Sequence, residues 1–258
     1  MVAKKTQSPS RKSTSSLRLH GKVAVVTGGS RGIGYAIART LAAEGCSVVI
    51  TGRRAATLTK SATRIGKSVG AKRKPQIVPI ICDVRDPQSV SALFAAVKKR
   101  FGKLDVLVNN AGVAQPLTPI EQTSVELWRE VMDTNLFGLF LCTRGALPLM
   151  ERSATVVNNL SVAAKTVFPN FAAYNTSKHG ALGFTRSLRE ELMPRGIRVV
   201  ALMPGAIDTD LWQQFWPDAP RERMIDVDSV AQAVLYAVLL PPNANLSELV
   251  LTPTGGAL

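Results

Sequence analysis

The chain has 258 residues, 46% of them apolar, and a formal net charge of +14, enough apolar material for a full core in one domain. No apolar run is long enough to span a membrane, and the N-terminus lacks the apolar core of a secretory signal. The positive charge raises the question of a nucleic-acid partner, but residues 1–20 hold five Lys or Arg and no acid, residues 53–74 hold eight and no acid, and the rest is close to neutral.

Residues 1–19, rich in Ser, Thr and Lys, are expected to form a disordered basic tail. From residue 20 to 258 one rhythm repeats. "KVAVVTG" (22–28) is a short β-branched run ending in glycine, and "GIGYAIARTLAAEG" (32–45) has helical periodicity and a glycine stop. "SVVITG" (47–52) is a second strand, 55–69 a helix and "QIVPIICD" (76–83) a third strand. A helix near 87–101, the strand "DVLVNN" (105–110) and a long helix near 124–149 come next. The strand "ATVVNN" (154–159), a helix near 172–193 and the strand "IRVVALMPG" (197–205) follow. A helix near 227–239 and "SELVLTP" (247–253) close the chain. Strands alternating with helices imply right-handed crossovers and a doubly wound parallel sheet of about seven strands, with helices on both faces. No linker divides residues 20–258 into two domains.

In such α/β sheets, ligands bind at the carboxyl ends of the strands. The turn after strand one, "TGGSRGIG" (27–34), places Gly28, Gly32 and Gly34 where a tight turn opens a helix. That arrangement lets backbone approach a pyrophosphate, which the helix N-terminus favours electrostatically. Tyr174 and Lys178, in "FAAYNTSKHGALGF" (171–184), lie one helical turn apart and so leave the same face. Cys46, Cys82 and Cys142 lack metal spacing and read as buried free thiols in a reducing compartment, hence a cytoplasmic protein with no metal.

Together these motifs resemble the short-chain dehydrogenase/reductase family over about residues 20–258. "TGGSRGIG" matches the family's TGxxxGxG, "NNAG" (109–112) its motif after strand four, and "YNTSK" (174–178) its YxxxK. Ser161 precedes Tyr174 by 13 residues, and "PGAIDT" (204–209) matches the PG-x-x-x-T loop. The resemblance implies a Rossmann-type fold and a catalytic set of Asn135, Ser161, Tyr174 and Lys178. It implies cofactor contacts from Gly28, Ser30, Arg31, Gly32, Ile33 and Gly34, and from Asp83 and Val84 at the adenine. Further contacts are implied for Asn110, Ala111 and Gly112, for Tyr174 and Lys178, and for Pro204, Gly205, Ile207 and Thr209. Lys178 is expected to lower the Tyr174 pKa by favouring phenolate, so that Tyr174 exchanges the substrate proton while Ser161 holds the substrate oxygen. Asn135 is expected to support a water-linked relay. His179 reads as structural, and Asn109–Gly112 as partly structural.

An NAD site places an acid about 20 residues past the glycine turn. Here no acid occurs between Glu44 and Asp83; Arg53 and Arg54 follow strand two and Arg31 lies in the turn. These arginines suit a 2′-phosphate, so NADP is the expected cofactor. The chain departs from the family pattern at "VVNNLS" (156–161), where Asn159 and Leu160 replace the more usual Ile-Ser, and at its C-terminus, "SELVLTPTGGAL". Trp212, Phe215 and Trp216, in a short substrate lid near 209–226, either line an apolar pocket or pack the lid onto the body. The expected activity is NADP(H)-dependent hydride transfer to or from a small-molecule carbonyl or secondary alcohol. A 3-oxoacyl thioester, as in 3-oxoacyl carrier-protein reductases, is one candidate. The chain is expected to form a homodimer, through the helices near 124–149 and 172–193, or a homotetramer. The competing reading is a non-catalytic NADP-binding sensor, or a nucleic-acid-associated protein using the basic tail. The Ser161, Tyr174 and Lys178 set argues against it, because a binder has no need of those three groups together.

Overall fold

The structure, a computed structural model, describes residues 17–69 and 75–256. Residues 1–16 of the expected tail and 70–74 of the second basic segment lie outside the described residues. The last three tail residues are tied to the body. Leu19 N donates to the Glu44 carbonyl at 2.9 Å, and the Arg18 guanidinium bonds both Glu44 carboxylate oxygens.

Seven parallel strands run in the order β3-β2-β1-β4-β5-β6-β7. They are β1 (Val23–Val26), β2 (Ser47–Gly52), β3 (Ile77–Ile81), β4 (Val106–Asn109), β5 (Thr155–Asn159), β6 (Arg198–Pro204) and β7 (Glu248–Leu251). Pro79 has no N–H to give a ladder, and β3 tolerates it because that strand is an edge. Strand residues alternate between two cores. Ala24 and Val26 face the layer formed by α1 (Gly32–Ala43), α2 (Ala55–Val69) and α7 (Val227–Leu239). Val23 and Val25 face the layer of α3 (Pro87–Phe101), α5 (Gly138–Ala146) and α6 (Ala172–Leu192). The central strands are wholly buried, as β-branched runs covered on both faces must be.

The chain reverses its building direction between β1 and β4, which are hydrogen-bonded neighbours. That switch point opens a crevice beyond the strand ends. A buried polar ladder keeps the crevice floor in register. Asn109 Nδ2 donates to Thr143 Oγ1 and Asn158 Oδ1, and Asn158 Nδ2 donates to Thr185 Oγ1, all at 2.9 Å. Each bond ties a strand end to a helix or to the next strand, which is the bracing role expected of Asn109.

One element differs from expectation. The long helix near 124–149 is α4 (Val125–Met132), a π turn (Asp133–Phe137) and α5 in succession. The extra residue in that turn rotates Asn135 inward, a common use of π turns at functional sites. Cys46, Cys82 and Cys142 are free and buried, and burial pushes each thiol up, Cys46 to about 12.

Candidate active site

The cleft at the switch point encloses about 1240 Å³. Its floor is the β1–α1 turn. Gly28 and Gly32 both adopt positive φ, +64° and +52°, so neither accepts a side chain without strain. Gly34 is needed for a different reason: a Cβ there would lie 2.5 Å from the Gly28 carbonyl and 2.4 Å from Asn110 Nδ2. Gly28, Ser30, Arg31, Gly32 and Ile33 line the cleft, whereas Gly34 packs beneath them. Helix α1 starts with no side-chain cap and no acid in its first turn. Its first N–H groups are thus left for an anion in the cleft.

Asn110 locks this turn to β4. Its Nδ2 donates to the carbonyls of Thr27 and Gly28, while Thr27 Oγ1 accepts from the backbone N–H of Asn110 and Ala111. Asn159 Nδ2 in turn donates to Asn110 Oδ1 at 2.9 Å. The departure from Ile at position 159 therefore adds a brace from β5 to the glycine turn. Asn159 lines the cleft, and its Oδ1 is buried without a hydrogen-bond partner among the described residues.

Ser161, Tyr174 and Lys178 converge on this cleft. Ser161 lies two residues past β5 and caps the short helical turn that follows, accepting from Ala163 N at 3.1 Å. Tyr174 and Lys178 share a face of α6, with Lys178 Nζ 5.4 Å from the Tyr174 ring centre and donating to the Asn159 carbonyl at 3.3 Å. Gln115, fully buried, accepts from Tyr174 N and fixes the first turn of α6. The expectation that Lys178 pulls the phenol pKa down is not met. Burial pushes Tyr174 up, with a hydrogen bond from Ser161 opposing that shift, and burial pushes Lys178 down to about 8. Desolvation disfavours both charged forms.

Asn135 does not reach the cleft. It is 3% exposed; its Oδ1 accepts from Val113 N, and its Nδ2 donates to the Val113 carbonyl and Ser177 Oγ. Gly112 separates it from Lys178: a Cβ on Gly112 would lie 3.2 Å from Asn135 Oδ1 and 3.9 Å from Lys178 Nζ. Its side chain positions the Gly112–Val113 backbone, as a buried structural amide does. The His179 ring is spent on the Asn175 carbonyl of its own helix.

At the opposite end of the cleft, Arg31, Arg53 and Arg54 are exposed and none forms an ion pair among the described residues. Asp83 and Val84 line the same end, after β3. Asp83 is not a free turn carboxylate: Arg85 grips both its oxygens and holds it below the usual carboxylate range. Sequence reading had no signal for Arg85, which becomes visible only because its side chain folds back two residues into the cleft wall. Asn110, Ala111 and Gly112 line the middle. Pro204, Gly205, Ile207 and Thr209 close over the top. A Cβ on Gly32 would be 3.4 Å from Thr209 Cγ2, so that loop rests on the start of α1.

The lid residues do both of the things left open by the sequence. Trp212 Nε1 donates to the Ile207 carbonyl at 2.8 Å, anchoring the lid to the loop beneath it. Trp212, Phe215 and Trp216 also line the cleft. Their rings continue inward: Trp212 to Phe215 at 4.8 Å, Phe215 to Phe171 at 5.4 Å, and Phe171 to Tyr174 at 4.7 Å. Phe171 has no part in the sequence motifs, although it stands three residues before the tyrosine.

A doubly wound sheet with an open helix start over a glycine turn, and a Ser, Tyr and Lys set facing it, defines a dinucleotide-dependent oxidoreductase. Residues 22–220 match the short chain dehydrogenase family, and the chain belongs to it. It is 34% identical to farnesol dehydrogenase of Aedes aegypti, over 92% of this chain and 98% of the relative. It is also 34% identical to a 3-oxoacyl-acyl-carrier-protein reductase of Aquifex aeolicus, over 85% and 91% respectively. Among solved structures, a short chain dehydrogenase from Burkholderia cenocepacia in complex with NADP superposes with a TM-score of 0.81. It shares 30% identity, over 91% of this chain and 98% of that one.

Proposed function

We propose that this protein is an NADP(H)-dependent oxidoreductase that interconverts a ketone or aldehyde and the corresponding alcohol. The observation that carries the reading is the convergence of Ser161, Tyr174 and Lys178 on one cleft below the open start of α1. A bound nicotinamide would supply or accept the hydride. Ser161 holds the substrate oxygen by a hydrogen bond, and Tyr174 passes the proton between its hydroxyl and that oxygen. Burial pushes the Tyr174 phenol up, so it would hold its proton until the substrate oxygen gains negative charge in carbonyl reduction. Lys178 would take the hydroxyls of the nicotinamide ribose. A 3-oxoacyl thioester, the type of substrate in the Aquifex relative's name, is one carbonyl of this class. Three buried free thiols are consistent with a cytoplasmic setting.

Cofactor choice rests on the three unpaired arginines and on the absence of an acid where NAD would need one. Arg53 is the principal contact for the 2′-phosphate and Arg31 the second. A charge-assisted bond of this kind contributes about 1.5–3 kcal/mol. Arg53→Ala should therefore weaken NADPH about tenfold or more and leave NADH nearly unchanged. Fluorescence titration of wild type and variant with both reduced cofactors reads this directly. Equal loss for both, or a wild type that prefers NADH, would overturn the assignment.

A further inference from the structure

The two ends of the cleft differ in charge. Arg31, Arg53, Arg54 and Arg85 line the end beside α2 and β3. Beyond Ser161 and Tyr174 the lining changes to Leu117, Val162, Phe171, Trp212, Phe215 and Trp216. The one charged side chain lining that half is Asp210, an exposed acid at the start of the lid with no ion-pair partner among the described residues. Arg221 is committed to Asp208 and the Thr209 carbonyl, and Lys165 to Glu248.

Resting on the oxidoreductase reading above, we infer that the substrate is a large, uncharged, predominantly apolar ketone or secondary alcohol, held against the aromatic wall that runs from Tyr174 through Phe171 and Phe215 to Trp212. Three observations carry this. The wall is continuous, with ring centres 4.7–5.4 Å apart, so an apolar group attached to the reacting carbon meets aromatic surface at every step outward. The wall extends to the surface, where Leu117 and Trp216 are 53% and 40% exposed. Apolar side chains left open to water at the mouth of a cleft mark a surface that a ligand covers. Finally, among the described residues lining this half no cation awaits a carboxylate or phosphate, and Asp210 would repel one. Burying such a group there without a partner is unfavourable by far more than an apolar contact contributes. Small ketones reach the catalytic hydroxyl but leave the outer rings wet, and therefore bind weakly.

The test is a matched pair of ketones with NADPH. 4-tert-Butylcyclohexanone and 4-oxocyclohexanecarboxylate are close in size and differ in charge; unsubstituted cyclohexanone serves as the small reference. The expected order in kcat/KM is the tert-butyl ketone first, by about tenfold or more over each of the others. Phe215→Ala should remove most of that preference by raising KM for the tert-butyl ketone, with kcat little changed, since a wall contact binds ground state and transition state alike. Trp216→Ala, at the rim, should act in the same direction more weakly. Unchanged NADPH affinity in both variants certifies that each has folded. Equal or better use of the carboxylate, or a tert-butyl preference that survives both substitutions, would overturn the inference while leaving the oxidoreductase reading in place. Failure to reduce any of the three ketones, with NADPH bound, would overturn that reading and the inference with it.

Discussion

Lys178 shows what the site demands of single residues. An ammonium 7% exposed, with one backbone carbonyl at 3.3 Å as its partner, is held at a loss of solvation. Its pKa, pushed down to about 8 from 10.5, expresses that loss. The folded protein binds fewer protons than the unfolded chain between those two values, so stability rises with pH across that window, and the penalty is complete below pH 8. Replacing the charge by Lys178→Met should stabilise the protein without cofactor by about 1–3 kcal/mol at pH 7. The gain should shrink as pH approaches 10.5, and activity should be lost. Thermal unfolding of both proteins at pH 7 and pH 10 measures this. A variant less stable than wild type at pH 7 would show that the ammonium is fully solvated or better paired than its surroundings indicate. The four-residue spacing put Tyr174 and Lys178 on one helical face, and only the family motifs around them pointed to a site. Their pKa directions were not legible, because desolvation depends on what the rest of the chain stacks around them.

Among the elements, the β1–α1 turn was the most legible, since its glycines answer to local geometry. Gly34 is the clearest case. Any Cβ there meets backbone of the preceding turn, and backbone cannot move aside as a flexible side chain can. Gly34→Ala should destabilise the fold by about 1–3 kcal/mol and weaken dinucleotide binding, since α1 must back away from Gly28. Denaturant unfolding together with NADPH titration tests both effects; a variant normal in both would mean that the turn tolerates a wider approach. The π turn between α4 and α5 was not legible. Periodicity across 124–149 suits an uninterrupted helix, and the shift in hydrogen bonding is fixed by Asn135 reaching Val113 on another segment. The Asn135 side chain is committed to the backbone behind Gly112, so any support it gives to a water-linked relay would not come from a free amide.

For the whole molecule, alternation of strands and helices was sufficient to identify a seven-stranded parallel sheet, because parallel neighbours require crossovers and both faces must then be covered. Placement at the sheet's switch point follows from the same rule and explains why residues as distant as Arg31, Asn159 and Thr209 share one cleft. The aromatic path from the lid to Tyr174 was outside the reach of sequence, since it joins two loops separated by β6. The central claim is that this cleft transfers a proton through one hydroxyl while the cofactor carries the hydride. Tyr174→Phe tests it most directly, because the ring keeps its packing on Phe171 and only the oxygen is lost. NADPH consumption with a ketone that the wild type reduces should fall by about a thousandfold, with NADPH affinity unchanged within about twofold. Near-normal consumption by the variant would contradict the account.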